Sequence, residues 1–157
     1  MAGRHDWLSW DQYQAAHYGN LEGFTHFIVE DRLNPEISDL LVIWDGVLLC
    51  ADGIEIFVDK TQDVRRRNGR REVRTRRYSY QAILRTGHGP LRLVRYDNAH
   101  EWAGHADGHH RHVMLDDGAE RVEHVGEDAW PTLGDVIAEV EEWWRSGRIA
   151  NLAARQS

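Results

Sequence analysis

The sequence is poor in cysteine and proline and has no long apolar run. Its one cysteine, Cys50, excludes an intrachain disulfide and agrees with a reducing compartment, while three prolines among 157 residues exclude collagen-like and low-complexity chains. The apolar run at 40–44 is far shorter than the roughly 20 residues of a membrane helix, and residues 1–11 carry no signal-peptide apolar core. We therefore expect a soluble, cytoplasmic protein with no membrane partner.

The length of the chain predicts a single domain. A chain of 157 residues is of ordinary size for one hydrophobic core. Within the domain 1–157 we expect an N-terminal helical segment at 1–39, an α+β core at 40–146 and a tail at 147–157.

The charge of the chain is acidic except in one segment. Residues 65–77 hold eight arginines against one acid, a charge of +7; because the whole chain carries −7, the rest sums to −14. Guanidinium groups bind phosphate oxygens through paired hydrogen bonds, so this segment predicts a nucleic-acid contact. A solvated hairpin tip, or pairing with the acidic residues of 116–142, would also explain it.

The N-terminal part has helical spacing. Ser9 and Gln12 have the spacing of a capping box, and the aromatic and apolar residues that follow recur at intervals of three and four. A second helical stretch is predicted to begin near Phe24 and to stop before Asn34-Pro35, because the residue before a proline resists the helical conformation. We therefore expect two short aromatic helices here.

Between residues 40 and 125 the pattern changes to short apolar runs separated by turn dipeptides. The Asp-Gly and Asn-Gly pairs tolerate positive φ and are typical of hairpins. Since no helix-length crossover separates the runs, we predict antiparallel pairing. The expected fold is α+β: a mostly antiparallel sheet of five or six strands, with a C-terminal helix packed across it and an aromatic helical segment at the N-terminus. The predicted strands lie near 47–51, 54–59, 73–85, 91–97, 110–115 and 121–125.

The C-terminal part predicts one amphipathic helix. Thr132 and Asp135 have the spacing of a helix start, and an apolar stripe continues as far as Trp144. Ser146-Gly147 should end this helix, and residues 149–157 are expected to form a frayed tail.

Histidines concentrate after the basic segment. Five of the ten lie within residues 100–112, close to Arg95 and Asp97 at the end of a predicted strand. Because imidazole groups titrate near neutral pH and bind metals, such a cluster is typical of acid–base or metal chemistry. Alternation along the strand at 110–115 puts His110 and His112 on one face, about 6.6 Å apart.

The same alternation groups residues on the neighbouring strands. Arg95 and Asp97 share one face of their strand, and Tyr78 and Tyr80 share one face of theirs. Whether these faces coincide with that of the histidines depends on the strand register, which the sequence does not determine.

Several short motifs follow one another in the second half of the chain. They are Tyr78-Ser79-Tyr80, Arg95-Tyr96-Asp97-Asn98, His100, His109-His110-Arg111-His112 and the helix start Pro131-Thr132-Leu133. Their order resembles the TumE family, the toxin components of toxin–antitoxin pairs, over roughly residues 50–145. The resemblance implies a small α+β bacterial toxin controlled by a cognate antitoxin. It assigns no catalytic mechanism, which must come from the residues themselves.

A histidine pair can cleave RNA without a metal. One neutral imidazole takes the proton of the 2′-hydroxyl, a protonated one donates to the leaving 5′-oxygen, and an arginine stabilises charge on the phosphorus. We expect the acid–base pair to be His110 and His112, or His100 with one of them. Arg95 would bind the phosphate, with Asp97 in the same site. The expected nucleic-acid-binding residues, for base stacking and backbone contact, are Tyr78, Tyr80, Tyr96, Arg65, Arg66, Arg67, Arg70 and Arg71.

Two other functions are compatible with the same residues. His100, His110 and His112 could bind zinc or another divalent metal and leave a position open for hydrolysis, although our first expectation is a site without metal or cofactor. Alternatively, the seven tryptophans and the arginines form a non-enzymatic docking surface for protein or nucleic acid. An antitoxin and RNA are the expected partners, and a homo-oligomer is left open.

Overall fold

The computed structural model describes residues 5–98 and 108–155, which contain three α-helices, one short 3₁₀-helix (Ala51–Gly53) and eight strands. The helices are α1 (Trp10–Glu22), α2 (Leu133–Arg145) and α3 (Arg148–Arg155). The strands are β1 (Leu8–Ser9), β2 (Ile28–Ile37), β3 (Leu41–Cys50), β4 (Ile54–Arg67), β5 (Arg70–Thr86), β6 (Gly89–Asp97), β7 (His110–Met114) and β8 (Glu120–His124).

The strands form one antiparallel sheet in the order β2-β3-β4-β5-β6-β7-β8. β1 pairs with β5 at Leu8↔Val73, beyond the end of β6. The α+β class and the antiparallel sheet expected from the sequence are confirmed. The described part of the chain has more strands than the five or six predicted, because neither β1 nor β2 is signalled by an apolar pattern.

The segment expected to continue as a second helix is instead strand β2. It lies at the edge of the sheet and pairs with β3, with Pro35 opposite Trp44. Most of its side chains are exposed, so it lacks the alternating apolar pattern that signals a strand. An edge strand is stabilised by backbone pairing with its neighbour, and proline is tolerated there. The helix prediction is therefore wrong for this segment.

A long hairpin of β4 and β5 forms the middle of the sheet. Its strands have 14 and 17 residues and are joined at Asn68-Gly69, both with positive φ, 52° and 76°. An Asn-Gly dipeptide favours this conformation in a two-residue turn, so the turn helps to set the register of the arginine-rich tip. In β3, Gly46 permits a close approach of β2, since an added Cβ would lie 2.2 Å from the carbonyl oxygen of Arg32.

The helices pack on one face of the sheet. α1 and α2 begin at the capping boxes expected at Ser9 and Thr132. α2 buries the apolar stripe that the sequence predicts, with Val136, Ile137 and Val140 fully inside. These contacts fix the helix face of the sheet as its core side.

The predicted frayed tail is helix α3. Its residues Ile149 and Leu152 are buried against the core. A short helix with two buried side chains has too little apolar pattern to be distinguished from a polar tail, which explains the error. No helix of the described residues is long and apolar enough to cross a membrane.

Candidate functional site

Strand pairing brings four of the predicted catalytic residues together. In the β6–β7 register, Arg95 lies opposite His112, and Asp97 lies opposite His110. Directly opposed residues of an antiparallel pair project from the same face, with Cβ atoms about 4.5–5.5 Å apart. Tyr96, which lies between Arg95 and Asp97 in the chain, projects from the other face and bonds to α2. We call the face away from α2 the open face, and these four residues the open-face cluster.

Arg95 and Asp97 form an ion pair within β6. Nε of Arg95 lies 2.8 Å from Oδ2 of Asp97, at ion-pairing distance although not aligned as a hydrogen bond. The Asp97 side chain is 1% exposed and that of Arg95 is 38% exposed. A buried carboxylate therefore orients a partly exposed guanidinium. Because the guanidinium has five N–H donors, the ion pair leaves several of them to bind a phosphate.

His112 is the more accessible of the two described histidines of the cluster. Its Nδ1 lies 3.0 Å from Oε1 of Glu120 in β8, and its side chain is 22% exposed. A carboxylate can only accept, so Nδ1 carries the proton and Nε2 is the basic nitrogen. His112, Glu120 and Arg95 line a cavity of about 220 Å³ on the open face. Glu120 was missed by the sequence analysis because it becomes a neighbour only through the β7–β8 pairing.

His110, by contrast, is fully buried. Its exposed fraction is 0%, its Nδ1 lies 3.0 Å from the carbonyl oxygen of Gly108, and its ring centroid lies 5.5 Å from that of His124. The Nδ1–H group thus donates to the backbone, which fixes the ring. This burial suits a residue that positions its neighbours better than one that touches a substrate.

His100 lies outside the described residues. Among the residues that are described, no three His, Cys, Asp or Glu side chains are arranged to hold a metal ion. The metal site expected as an alternative, with His100, His110 and His112 as ligands, stays a prediction.

The three tyrosines expected to stack bases lie in the core. Tyr78 and Tyr80 project toward the helices, and Tyr96 donates from its hydroxyl to a carboxylate oxygen of Glu139 in α2 at 2.8 Å. The Tyr78 hydroxyl lies 2.8 Å from Nδ1 of His109. Burial raises the pKa of Tyr96 above its ordinary value. Stacking a base requires an accessible ring face, so the expected role does not fit the burial of these rings.

The arginines of the β4–β5 hairpin differ in their surroundings. Arg65 pairs with Glu72 at 2.8 Å and lies 4.3 Å from the ring centroid of Trp7. Arg71 is half-buried. Since Arg65 is held by these contacts, the guanidinium groups best placed to meet a partner are the exposed ones. Among the five arginines predicted to bind nucleic acid, they are Arg66, Arg67 and Arg70.

Alternation along β4 places part of this hairpin on the open face. Asp59 lies on the open face because it is opposite Ser79, which is opposite Asp97. Arg65 and Arg67 project from the same face as Asp59, and Arg70 is paired with Arg67. The described ion pairs of the basic segment go to acids of the hairpin itself, not to residues 116–142. The open face thus carries exposed arginines as well as the open-face cluster.

Comparison with known families shows what kind of protein this is. The family model of toxin TumE matches residues 21–144, from the end of α1 through almost all of α2. The chain belongs to the TumE toxin family. It is therefore a toxin component of a toxin–antitoxin system, and a cognate antitoxin is its partner. No curated protein and no solved structure matches it.

The part of the chain that matches TumE contains most of the sheet and the whole open-face cluster. It begins well before residue 50, so it takes in β2 and β3 as well as the segments that carry the resemblance in the sequence. β1 and most of α1 lie outside it.

This TumE-family chain has a second polar cluster, on the helix face. Lys60, the only lysine beside eighteen arginines, is 2% exposed. Its ammonium bonds to the Tyr13 hydroxyl and lies 4.9, 5.3 and 5.8 Å from the ring centroids of Tyr13, Trp44 and Tyr80. The sequence analysis missed it. The available signal is that the sole lysine follows Val58 in an alternating run of buried residues on β4.

Proposed function

We propose that this TumE-family toxin is a ribonuclease whose acid–base site is the open-face cluster. The observation that carries the proposal is the pairing of Arg95 with His112 beside a cavity, with Glu120 on Nδ1 of His112. Cleavage at a 2′-hydroxyl requires a group that binds the phosphate and an imidazole whose basic nitrogen is turned toward the substrate.

In the proposed reaction, Nε2 of His112 takes the proton of the 2′-hydroxyl. The 2′-oxygen then attacks phosphorus and the bond from phosphorus to the 5′-oxygen breaks, leaving a 2′,3′-cyclic phosphate. Arg95 stabilises the charge on the phosphate oxygens while Asp97 keeps its guanidinium oriented. The acid that protonates the 5′-oxygen is His100 or His110, and the burial of His110 favours His100.

The hairpin arginines act in binding rather than in chemistry. Arg67 and Arg70 are exposed at the tip on the open face, so they are suited to contact the RNA backbone away from the cleaved bond. Because the tyrosine rings are buried, we give them no role in stacking against RNA bases.

The test measures cleavage of an RNA oligomer and its 2′-deoxy counterpart, each with and without EDTA. We expect cleavage of RNA alone, insensitivity to EDTA and a bell-shaped pH–rate profile set by two groups. Cleavage of the deoxy substrate would contradict the mechanism. Loss of activity with EDTA that is restored by zinc or manganese would favour the alternative, a metal-dependent nuclease.

Matched histidine variants identify the base. His112→Ala should lower the cleavage rate by about 10²–10⁴, the usual contribution of a general base. The control is His88→Ala, because His88 is an exposed histidine in the β5–β6 turn, away from the cluster. Equal rates for the two variants would remove His112 from the mechanism.

A further inference from the structure

Among the residues that the structure describes, no carboxylate balances the buried ammonium of Lys60. Its hydrogen-bond partner is the hydroxyl of Tyr13, and among the described residues no acid forms an ion pair with it. Burial favours the neutral amine, but Tyr13 and Tyr80 outweigh burial and raise the pKa of Lys60 above its ordinary value. A buried charge without a counter-charge is costly, and ring contacts offset only part of that cost.

The Tyr13 hydroxyl is left as a hydrogen-bond donor. Lys60 has only N–H donors, so the oxygen of Tyr13 must accept from it. This hydroxyl keeps its own proton to donate elsewhere. Donation from a cation through a hydroxyl also strengthens that hydroxyl as a donor.

The Thr75 hydroxyl is also left as a donor, because its oxygen accepts a hydrogen bond from the side-chain amide of Gln62. The indole nitrogen of Trp44 donates to Oε1 of Gln62 at 2.8 Å, which determines the orientation of the amide because an indole N–H cannot accept. Nε2 of Gln62 then donates to the Thr75 hydroxyl oxygen at 3.3 Å. Thr75 therefore also keeps its proton for another acceptor.

These two hydroxyl-bearing side chains line one cavity. It has a volume of about 160 Å³ and lies between α1 and the β4–β5 hairpin. His17 lines it too, and its buried Nε2 has no hydrogen-bond partner among the described residues. Burial and the charge of Lys60 lower the pKa of His17 to about 4, so its ring is neutral and can donate from one nitrogen. Asp6 and Arg74 complete the charged lining and are of opposite sign.

We propose that this cavity binds a small oxyanion, a phosphoryl or carboxylate group, through the hydroxyls of Tyr13 and Thr75 with the charge of Lys60 behind them. An oxyanion offers the acceptors and the negative charge that the described part of the chain does not supply to these donors and to the ammonium. The volume is below that of an ordinary ligand pocket, so the site holds the anionic group rather than a whole nucleotide. The site lies on the helix face and does not depend on the proposed cleavage.

The single lysine makes the test direct. Protein labelled with ¹³C at the lysine Cε gives one lysine signal in the NMR spectrum, and that signal reports on the cavity. It is followed during titration with sodium phosphate, sodium acetate or adenosine 5′-monophosphate, against sodium chloride at equal ionic strength. We expect at least one oxyanion to move the signal to saturation where chloride does not. If none moves it further than chloride, the proposal is overturned.

The three compounds also distinguish the source of the anion. Saturation by phosphate supports free phosphate, saturation by the nucleotide alone supports a phosphoryl group on a larger molecule, and saturation by acetate alone supports a carboxylate. Each of these three outcomes supports binding of an oxyanion in the cavity beside Lys60.

Variants that remove one hydroxyl locate the binding. Tyr13→Phe and Thr75→Val keep the shape of the side chain, and each should weaken binding about tenfold, as expected for one hydrogen bond to a charged group. The matched control is Thr61→Val, since Thr61 follows Lys60 in β4 and projects from the open face. Affinities unchanged in both Tyr13→Phe and Thr75→Val would refute the site.

Discussion

His17 couples the folding stability of this toxin to pH. His17 is part of α1 and its side chain is buried. Burial, reinforced by the charge of Lys60, lowers the pKa of His17 from 6.5 to about 4. Between these values the unfolded chain binds a proton at His17 and the folded protein does not. The contribution of His17 to the free energy of unfolding is therefore fully present above about pH 6.5, and it is lost as the pH falls toward 4. The difference of about 2.5 pKa units corresponds to roughly 3 kcal/mol.

The assay compares the wild type with His17→Leu, which removes the titration and keeps an apolar volume. Urea unfolding is followed by tryptophan fluorescence at several pH values between 7 and 4, in buffers without phosphate. The wild type should lose roughly 3 kcal/mol more than the variant over this range. Carboxylates with lowered pKa, such as Glu141, titrate in both proteins and cancel in the difference. Parallel stability curves for the two proteins would refute the assignment, and His88→Leu, at an exposed histidine, is the control.

The hairpin, the open-face histidines and α3 each give a further prediction. Changing the five tip arginines (Arg65, Arg66, Arg67, Arg70 and Arg71) to Ser should weaken RNA binding and reduce the slope of log affinity against log salt by about 0.7 per lost phosphate contact. An unchanged slope in filter-binding titrations would mean that the hairpin contacts the antitoxin or solvent instead of RNA. Expression without an antitoxin should arrest growth of a bacterial host, and His110→Ala with His112→Ala should relieve the arrest in a protein that is still folded by circular dichroism. Normal growth with folded wild type would support a non-enzymatic binding function. Leu152→Ala should lower the free energy of unfolding by about 2–5 kcal/mol, and a urea midpoint equal to that of the wild type would contradict the packing of α3.

The parts of the fold that could be predicted depend on neighbouring residues. Asn68-Gly69 sets a two-residue turn by its own backbone preferences, and Thr132 with its apolar stripe specifies α2 without help from the sheet. β2 and α3 could not be predicted in this way. β2 is a strand because it pairs with β3, and α3 is ordered because Ile149 and Leu152 reach a core built by other elements.

The candidate site shows the same division. Alternation alone predicts that His110 and His112 share a face, as Arg95 and Asp97 do. The register that joins the two pairs is a long-range property of the β6–β7 pairing, and the sequence does not encode it locally. Nor does alternation show which face the helices cover. Alternation is therefore compatible with a base-stacking role for the tyrosines of β5, whereas the structure shows that their face is the core.

The use of lysine at position 60, in a chain that has arginine at every other basic position, follows from what surrounds it. The ammonium is compact, and it is surrounded by the Tyr13 hydroxyl and three aromatic rings, with centroids 4.9–5.8 Å away. A guanidinium is planar, carries five donors in a fixed fork and is best matched by a carboxylate or phosphate. Buried here, it would leave several N–H groups without acceptors. At 65–77 water or phosphate can reach the exposed guanidinium groups, so the same five donors become an advantage there.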